Sequence, residues 1–347
     1  MPASSFRATA VLLACLGALF IGQWFVLEVR PQPLRLARGW PAPQPLIGIA
    51  RAEALPASTA APAAVDALER YNQGSTLQGS LADGRVRFYR RAIGGGEIAY
   101  IVAEPGDTVR ATLINADNAR PASDANGNTI WADGGQHLRT VAEMAAAPYA
   151  ARDGWELAAA MAFGFHGDVR TSNEGSVVID REVLRVNPGR AALCIYADGR
   201  AEVGLFGRER LAGCAQAVGA GPIVLWEGRI ANPEIAAPTT EFMPYNPFRE
   251  DFVQIDWRRQ VYTSDRPKSL IGVGARPGGR TFLVLMVSYG VGGVEAVRQL
   301  RDMGCDQALA GDDDSSTQAV WRGQPVRGGE VRPVPDAFAI YVRKAPG

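Results

Sequence analysis

From about residue 85 onward the chain reads as one short strand after another. "RVRFYRRAI" alternates in side-chain character, and "EIAYIVAE" and "TVRATLINA" follow after a "GGG" break and a "PGD" turn. Further apolar or alternating runs, "ELAAAMAFGF", "GSVVIDREVL", "AALCIYADGRAEVGLF" and "GPIVLWEGRI", fill the middle, divided by turn-like "DRE" and "ADGRA". Runs of period two, or short and wholly apolar, bury one or both faces of a sheet, which commits this chain to a sheet-based domain. With 47% apolar and 21% charged residues, it can fill a core.

Helix signals are few. "LRTVAEMAAAPYA" places Val141, Met144 and Ala145 on one face, and Thr140 with Glu143 has the spacing of a capping box. Near the C-terminus, "RTFLVLMVSY" (280–289) reads as a buried strand. "VEAVRQLRDM" (294–303) then reads as a helix with Gly304 at its C′ position, and "CDQALA" as a second strand. These predict a βαβ unit with a right-handed crossover. The expected fold class is α+β: a mixed β-sheet domain with a C-terminal βαβ unit, preceded by an N-terminal transmembrane helix.

The transmembrane expectation comes from Ala8 to Leu27, "ATAVLLACLGALFIGQWFVL", which carries no charge and has the length of a bilayer-crossing helix. Residues 31–64 are rich in Pro and Ala, as a tether would be. The chain thus divides into a membrane anchor (1–30), a tether with a short helix (31–80) and a folded domain (81–347). The expected location is the inner membrane, with the domain on the extracytoplasmic, periplasmic side. Acidic and basic residues cancel at 36 each, leaving no net field toward nucleic acid. Nearly all the basic residues are Arg, with only Lys268 and Lys344 as Lys, a bias that carries no function by itself. Cys194 and Cys214 can pair in an oxidising compartment, or else serve as small buried hydrophobes.

Candidate chemistry centres on "ALAGDDDSST" (308–317), where the second strand of the βαβ unit ends. In sheets with parallel pairs, ligand crevices form at the carboxyl ends of strands. Asp312, Asp313 and Asp314 suit general acid and base work if crowded together, a cation cradle, or a solvated turn. Ser315, Ser316 and Thr317 offer hydroxyls and backbone N–H groups to an oxyanion, or cap a turn. His166 ends an apolar strand beside Gly164 and can relay a proton near neutral pH. Two histidines exclude a His-rich zinc site, and the chain has no G-x-S-x-G elbow, Walker loop or H-E-x-x-H.

Five segments, taken in order, resemble the phosphodiester glycosidase family. They are "TVAEMA" (140–145), "MAFGFH" (161–166), "GAGPIVLWEG" (219–228), "RPKSLIGVG" (266–274) and "ALAGDDDSST" (308–317). The family patterns are T-v-x-E-m-A, I-N-G-G-F-F, g-G-P-x-L, R-T-A-I-G and A-L-N-L-D-G-G-G-S-S-T. The resemblance spans roughly residues 85 to 345 and implies a hydrolase of a sugar phosphodiester or glycosidic bond in envelope or exopolysaccharide material. Asp312, Asp313, Asp314 and His166 would be catalytic, with Arg266, Ser315, Ser316, Thr317 and Gly164 binding substrate. No cofactor is required on this reading, though calcium or magnesium would fit the aspartates. The departures are that Ala162 replaces the family Asn, His166 the last Phe, and Gly311 the Asp, while Asp312 to Asp314 replace three glycines. They admit an alternative, a non-catalytic glycan-binding or polysaccharide-assembly protein.

Overall fold

The computed structural model describes residues 66–115, 122–123, 129–130, 138–165, 175–251 and 263–344. Helix α1 (Ala67–Gln73) starts at Asp66, whose side chain accepts from the Leu68 N–H, and it buries Leu68 and Tyr71. Strands β1 (Thr76–Leu81), β2 (Val86–Ile93), β3 (Gly96–Ala103) and β4 (Val109–Asn115) follow, then a two-residue ribbon of β5 (Ala122–Ser123) and β6 (Thr129–Ile130). Helix α2 (Val141–Ala146) has the capping box formed by Thr140 and Glu143. The middle contributes β7 (Trp155–Ala162), β8 (Val177–Ile179), β9 (Glu182–Arg185), β10 (Ala191–Ile195) and β11 (Ala201–Leu205). Beyond the short α3 (Arg208–Leu211) come β12 (Gln216–Gly219), β13 (Ile223–Trp226), β14 (Arg229–Asn232) and β15 (Phe242–Pro244). The last stretch holds β16 (Lys268–Ala275), β17 (Thr281–Tyr289), α4 (Gly293–Asp302) and β18 (Cys305–Asp313). It finishes with β19 (Ala319–Trp321), β20 (Gln324–Pro325) and β21 (Asp336–Arg343).

These strands form a nine-stranded sheet, β1-β2-β3-β17-β16-β18-β13-β14-β15, and two five-stranded sheets, β11-β10-β12-β8-β9 and β20-β19-β7-β21-β4. Alternate residues of β17 serve two cores. Leu283, Leu285 and Val287 face the five-stranded sheets, while Phe282, Val284 and Met286 join Val297 and Leu300 of α4. That double burial is why this strand reads as a continuous apolar run.

The fold class expected from the sequence needs correction. Of the described residues 47% are strand and 14% helix, so the domain is mostly β rather than α+β. In the nine-stranded sheet only β14 and β15 pair in parallel. The βαβ unit is split. Strands β17 and β18 flank β16 and each pairs with it antiparallel, so they run parallel to one another without touching. The sequence pattern of strand, helix and strand is the same whether or not a third strand slips between.

The membrane expectation also falls. Residues 8–27 lie outside the described residues, and among the described residues no helix is long and apolar enough to cross a membrane. The inner-membrane anchor and the periplasmic placement built on it are therefore set aside.

A disulfide joins Cys194 on β10 to Cys214, with Cα atoms 5.6 Å apart and a sequence separation of 20. It backs a small apolar cluster with Val178, Phe206 and Leu211, while Cys305 is buried as a free thiol. Closing a loop of that size restricts the unfolded chain, so Cys194→Ser with Cys214→Ser should cost about 3 kcal/mol. Urea unfolding of the variant against the oxidised protein measures this. An unchanged midpoint would mean the bridge contributes no stability.

Candidate functional site

The strand carrying the aspartates runs further than its apolar letters indicate, through Asp313, before a 3-10 turn at Asp314–Ser316. Gly311 explains how it can. A Cβ there would lie 2.5 Å from Cδ2 of Phe163 and 2.7 Å from its carbonyl oxygen, so only glycine lets β18 come this close to the end of β7. The contact continues as a hydrogen bond from Asp312 N–H to the Phe163 carbonyl at 2.9 Å. On the other side, Gly221 (φ 117°) donates to the Ala310 carbonyl, and Ala310 N–H donates to the Pro222 carbonyl.

The three carboxyls then find three different settings. Asp312 is buried; its Oδ2 accepts from Ser316 Oγ at 2.8 Å and from the Arg332 guanidinium at 2.9 Å, and its Oδ1 accepts from Asp313 N–H. Arg332 also donates to Ser316 Oγ. Asp313 is 1% exposed and stands in register with Lys268 across the sheet. Asp314 turns outward at φ 56°, its N–H bonded to the Pro267 carbonyl and its carboxylate 3.7 Å from the half-exposed Arg266 guanidinium.

The structure therefore brings Asp312, Ser316 and Arg332 together, and Asp314 with Arg266. It does not bring the three aspartates into one crevice. Ser316 is fully buried and already bonded, so its hydroxyl is not presented to a substrate. Thr317 is also buried, and its hydroxyl has no hydrogen-bond partner among the described residues. Ser315 is exposed, with its carbonyl accepting from Arg332 N–H. Gly164 donates its N–H to Asp336 Oδ1 at 3.1 Å, a buried contact. His166 lies outside the described residues. Among the described residues no group of three or more His, Cys, Asp or Glu is placed to hold a metal ion.

Four further residues of this region carry no motif in the sequence. Arg332 and Asp336 both lie within the "GGEVRPVPD" stretch (328–336), which offers no motif. Lys268 stands out in the sequence only as one of two lysines. Glu250 hides in the Pro- and aromatic-rich insertion. Its two carboxylate oxygens accept from the N–H groups of Ile223 (2.7 Å) and Ala191 (3.0 Å), which open strands of different sheets. Burial pushes its carboxyl up to about 7, against the pull of those two bonds and of Arg190. The Arg190 guanidinium lies over the Phe165 ring at 5.7 Å, beside Gly164. Elsewhere, a cavity of about 450 Å³ opens beside Arg110, Asp180, Tyr196 and Arg343, and none of the candidate residues lines it.

Glu250 makes stability pH-dependent. Its folded pKa lies above that of an unfolded carboxyl, so the folded state holds the extra proton. The contribution is full below about pH 4.5 and is lost as pH rises through about 7. Thermal or urea unfolding between pH 5 and 8 should show a loss of up to about 3 kcal/mol that Glu250→Gln flattens. A slope unchanged by the substitution would assign it to other groups. At Asp312, Arg332→Gln should cost about 2 kcal/mol, because it strips a buried carboxylate of a charged donor. The double variant with Asp312→Asn should lose less than the two single costs added, a coupling read by urea unfolding of all four proteins. Strict additivity would show that the pair does not interact.

No protein-family model matches the sequence, and no curated protein matches it. Among solved structures, the fold is similar to that of a hypothetical protein from Synechocystis, with a TM-score of 0.54 and 14% identity over 74% of this chain. The chain spans 62% of that protein's length. It is also similar to the zebrafish N-acetylglucosamine-1-phosphodiester alpha-N-acetylglucosaminidase catalytic domain, solved in a form auto-inhibited by pro-peptide. There the TM-score is 0.50 at 13% identity, over 78% of this chain and 82% of that one. At such identities the likeness is one of fold, so this chain has a distant fold relationship to a glycosidase.

Proposed function

We propose that the protein is a hydrolase of a glycosidic or sugar-phosphodiester bond, with its site at the end of β18. The observation that carries this reading is the separation of the three carboxyls. One, Asp314, is exposed beside an exposed arginine, while Asp312, two residues before it, is clamped by Arg332 and Ser316. A buried, fixed carboxylate beside an exposed one lets a strand end present a single reactive group from a rigid scaffold. The distant fold relationship to a glycosidase supports the same class of chemistry.

In this reading Asp314 is the acid or base. The bond joining the leaving oxygen to the sugar carbon or to the phosphorus breaks, water's hydroxyl goes to that same carbon or phosphorus, and its proton ends on the leaving oxygen. Arg266 suits two oxygens of a phosphoryl group through paired N–H donors, or sugar hydroxyls where the substrate is neutral. Asp312 touches no substrate; it holds the turn. Ser315 is the serine left exposed to contact the leaving group.

The test is a panel of glycosyl phosphodiesters and aryl glycosides, run with and without calcium or magnesium. On whichever probe is turned over, Asp314→Asn should lower kcat by about two to four orders of magnitude. Arg266→Gln should chiefly raise KM for charged probes. Turnover unaffected by Asp314→Asn would refute the assignment. A folded wild type that binds glycans but hydrolyses none would make it a glycan-binding protein instead.

A further inference from the structure

Of 36 basic residues only Lys268 and Lys344 are lysine, and Lys268 lies in the interior at the head of β16, 3% exposed. An ammonium has three donors, and three carbonyls receive them. These belong to Ser264 at 2.7 Å, Arg266 at 2.6 Å and Val291 at 3.4 Å. A planar guanidinium, with five donors in a fork, does not match a compact trio of carbonyls, which accounts for a lysine in a chain that otherwise uses arginine.

The surroundings of Lys268 connect it to the candidate site. Asp313 pairs with it in register across β16 and β18. Asp265 and Arg266 face it from the segment entering β16. The uncharged Ser288 stands opposite on β17, and the turn before α4 supplies the Val291 carbonyl. Burial lowers the amine to about 8, while Asp313 and Asp265 favour the ammonium and Arg266 opposes it.

We propose that Lys268 is the positioning residue of the candidate site. Its ammonium ties the Ser264–Arg266 segment to the turn before α4 at the head of β16, in register with Asp313, and so sets Arg266 against Asp314. The clamp stands on its own geometry; its effect on catalysis rests on the hydrolase reading above.

Having only two lysines makes the test direct. In the full chain labelled with [13Cε]lysine, one of two side-chain signals should titrate with a midpoint of about 8. In Asp313→Asn that midpoint should fall, because a carboxylate that favours the ammonium is gone. An unmoved midpoint overturns the proposal. In Lys268→Met, amide exchange should rise about tenfold or more in 264–266 and 313–316, since hydrogen bonds from a charged donor are lost. Protection elsewhere in β17 and β3 should hold. Uniform loosening of the sheet would make Lys268 an ordinary core residue. On a glycosyl phosphodiester that the wild type hydrolyses, Lys268→Met should lower kcat by about a hundredfold with a smaller change in KM, as misplacement does. The alkaline limb of the wild-type kcat profile should be absent. Unchanged kcat overturns the positioning role. A wild type inactive on every probe refutes the hydrolase reading, and the titration and exchange results then decide the clamp alone.

Discussion

The molecule depends on the hydrogen-bonded ladder of β17, β16 and β18. These three strands are almost wholly buried, so their backbone N–H and C=O groups have no water to fall back on and must pair with one another. Beta16 makes eight Cα pairings with β17, and on its other side pairs with β18 from Gly274 to Lys268, with two register shifts. The second shift, between Leu270 and Lys268, falls where the ladder meets the candidate site. It turns the strand ends so that Lys268 stands beside Asp313 rather than Asp312. The charged residues are thus placed by the register of an apolar ladder.

Charge within so apolar a domain is allowed only where it is matched. Arg276, with a side chain 8% exposed, is shared by Asp66, Glu69 and Glu104, which ties α1 to the ends of β3 and β16. Glu69 feels this too: hydrogen bonding to Arg87, joined by Arg276, brings its carboxyl down to about 2. Asp66 caps α1 and pairs with Arg276 at once, so a helix of seven residues, too short to stand alone, is fixed at its start. Its Tyr71 hydroxyl donates to Gln299 of α4, which joins the two helices on one face of the sheet.

How much of this was legible in the sequence differs by scale. The strands were, because period-two and apolar runs such as those of β2, β3 and β17 are written locally. So were the Thr140–Glu143 box and Gly304 at φ 90°, each a short-range pattern with a physical cause. The insertion of β16 between β17 and β18 was not, since partner choice in a sheet is made across distant sequence. At the site, the aspartates announced themselves, but their three directions did not. Spacing says that carboxyls are adjacent; it does not say that strand alternation and a left-handed turn at Asp314 will part them. Arg332 is 20 residues from Asp312 in sequence, within a loop whose letters show only Gly and Pro.

Lys268 shows where a compositional signal could have been followed further. A chain that places arginine at nearly every cationic position, and lysine in the midst of its central sheet, has met a constraint that charge alone does not explain. Guanidinium and ammonium differ in shape and in how readily they give up a proton when buried. The three carbonyls select the shape. The lowered pKa follows from satisfying that shape in the interior. The same argument accounts for Gly311, where a residue type is dictated by the 2.5 Å that a side chain would leave to Phe163. Both positions show the strand end fitted to its neighbours atom by atom, and what that fit leaves exposed to solvent includes Arg266, Asp314 and Ser315.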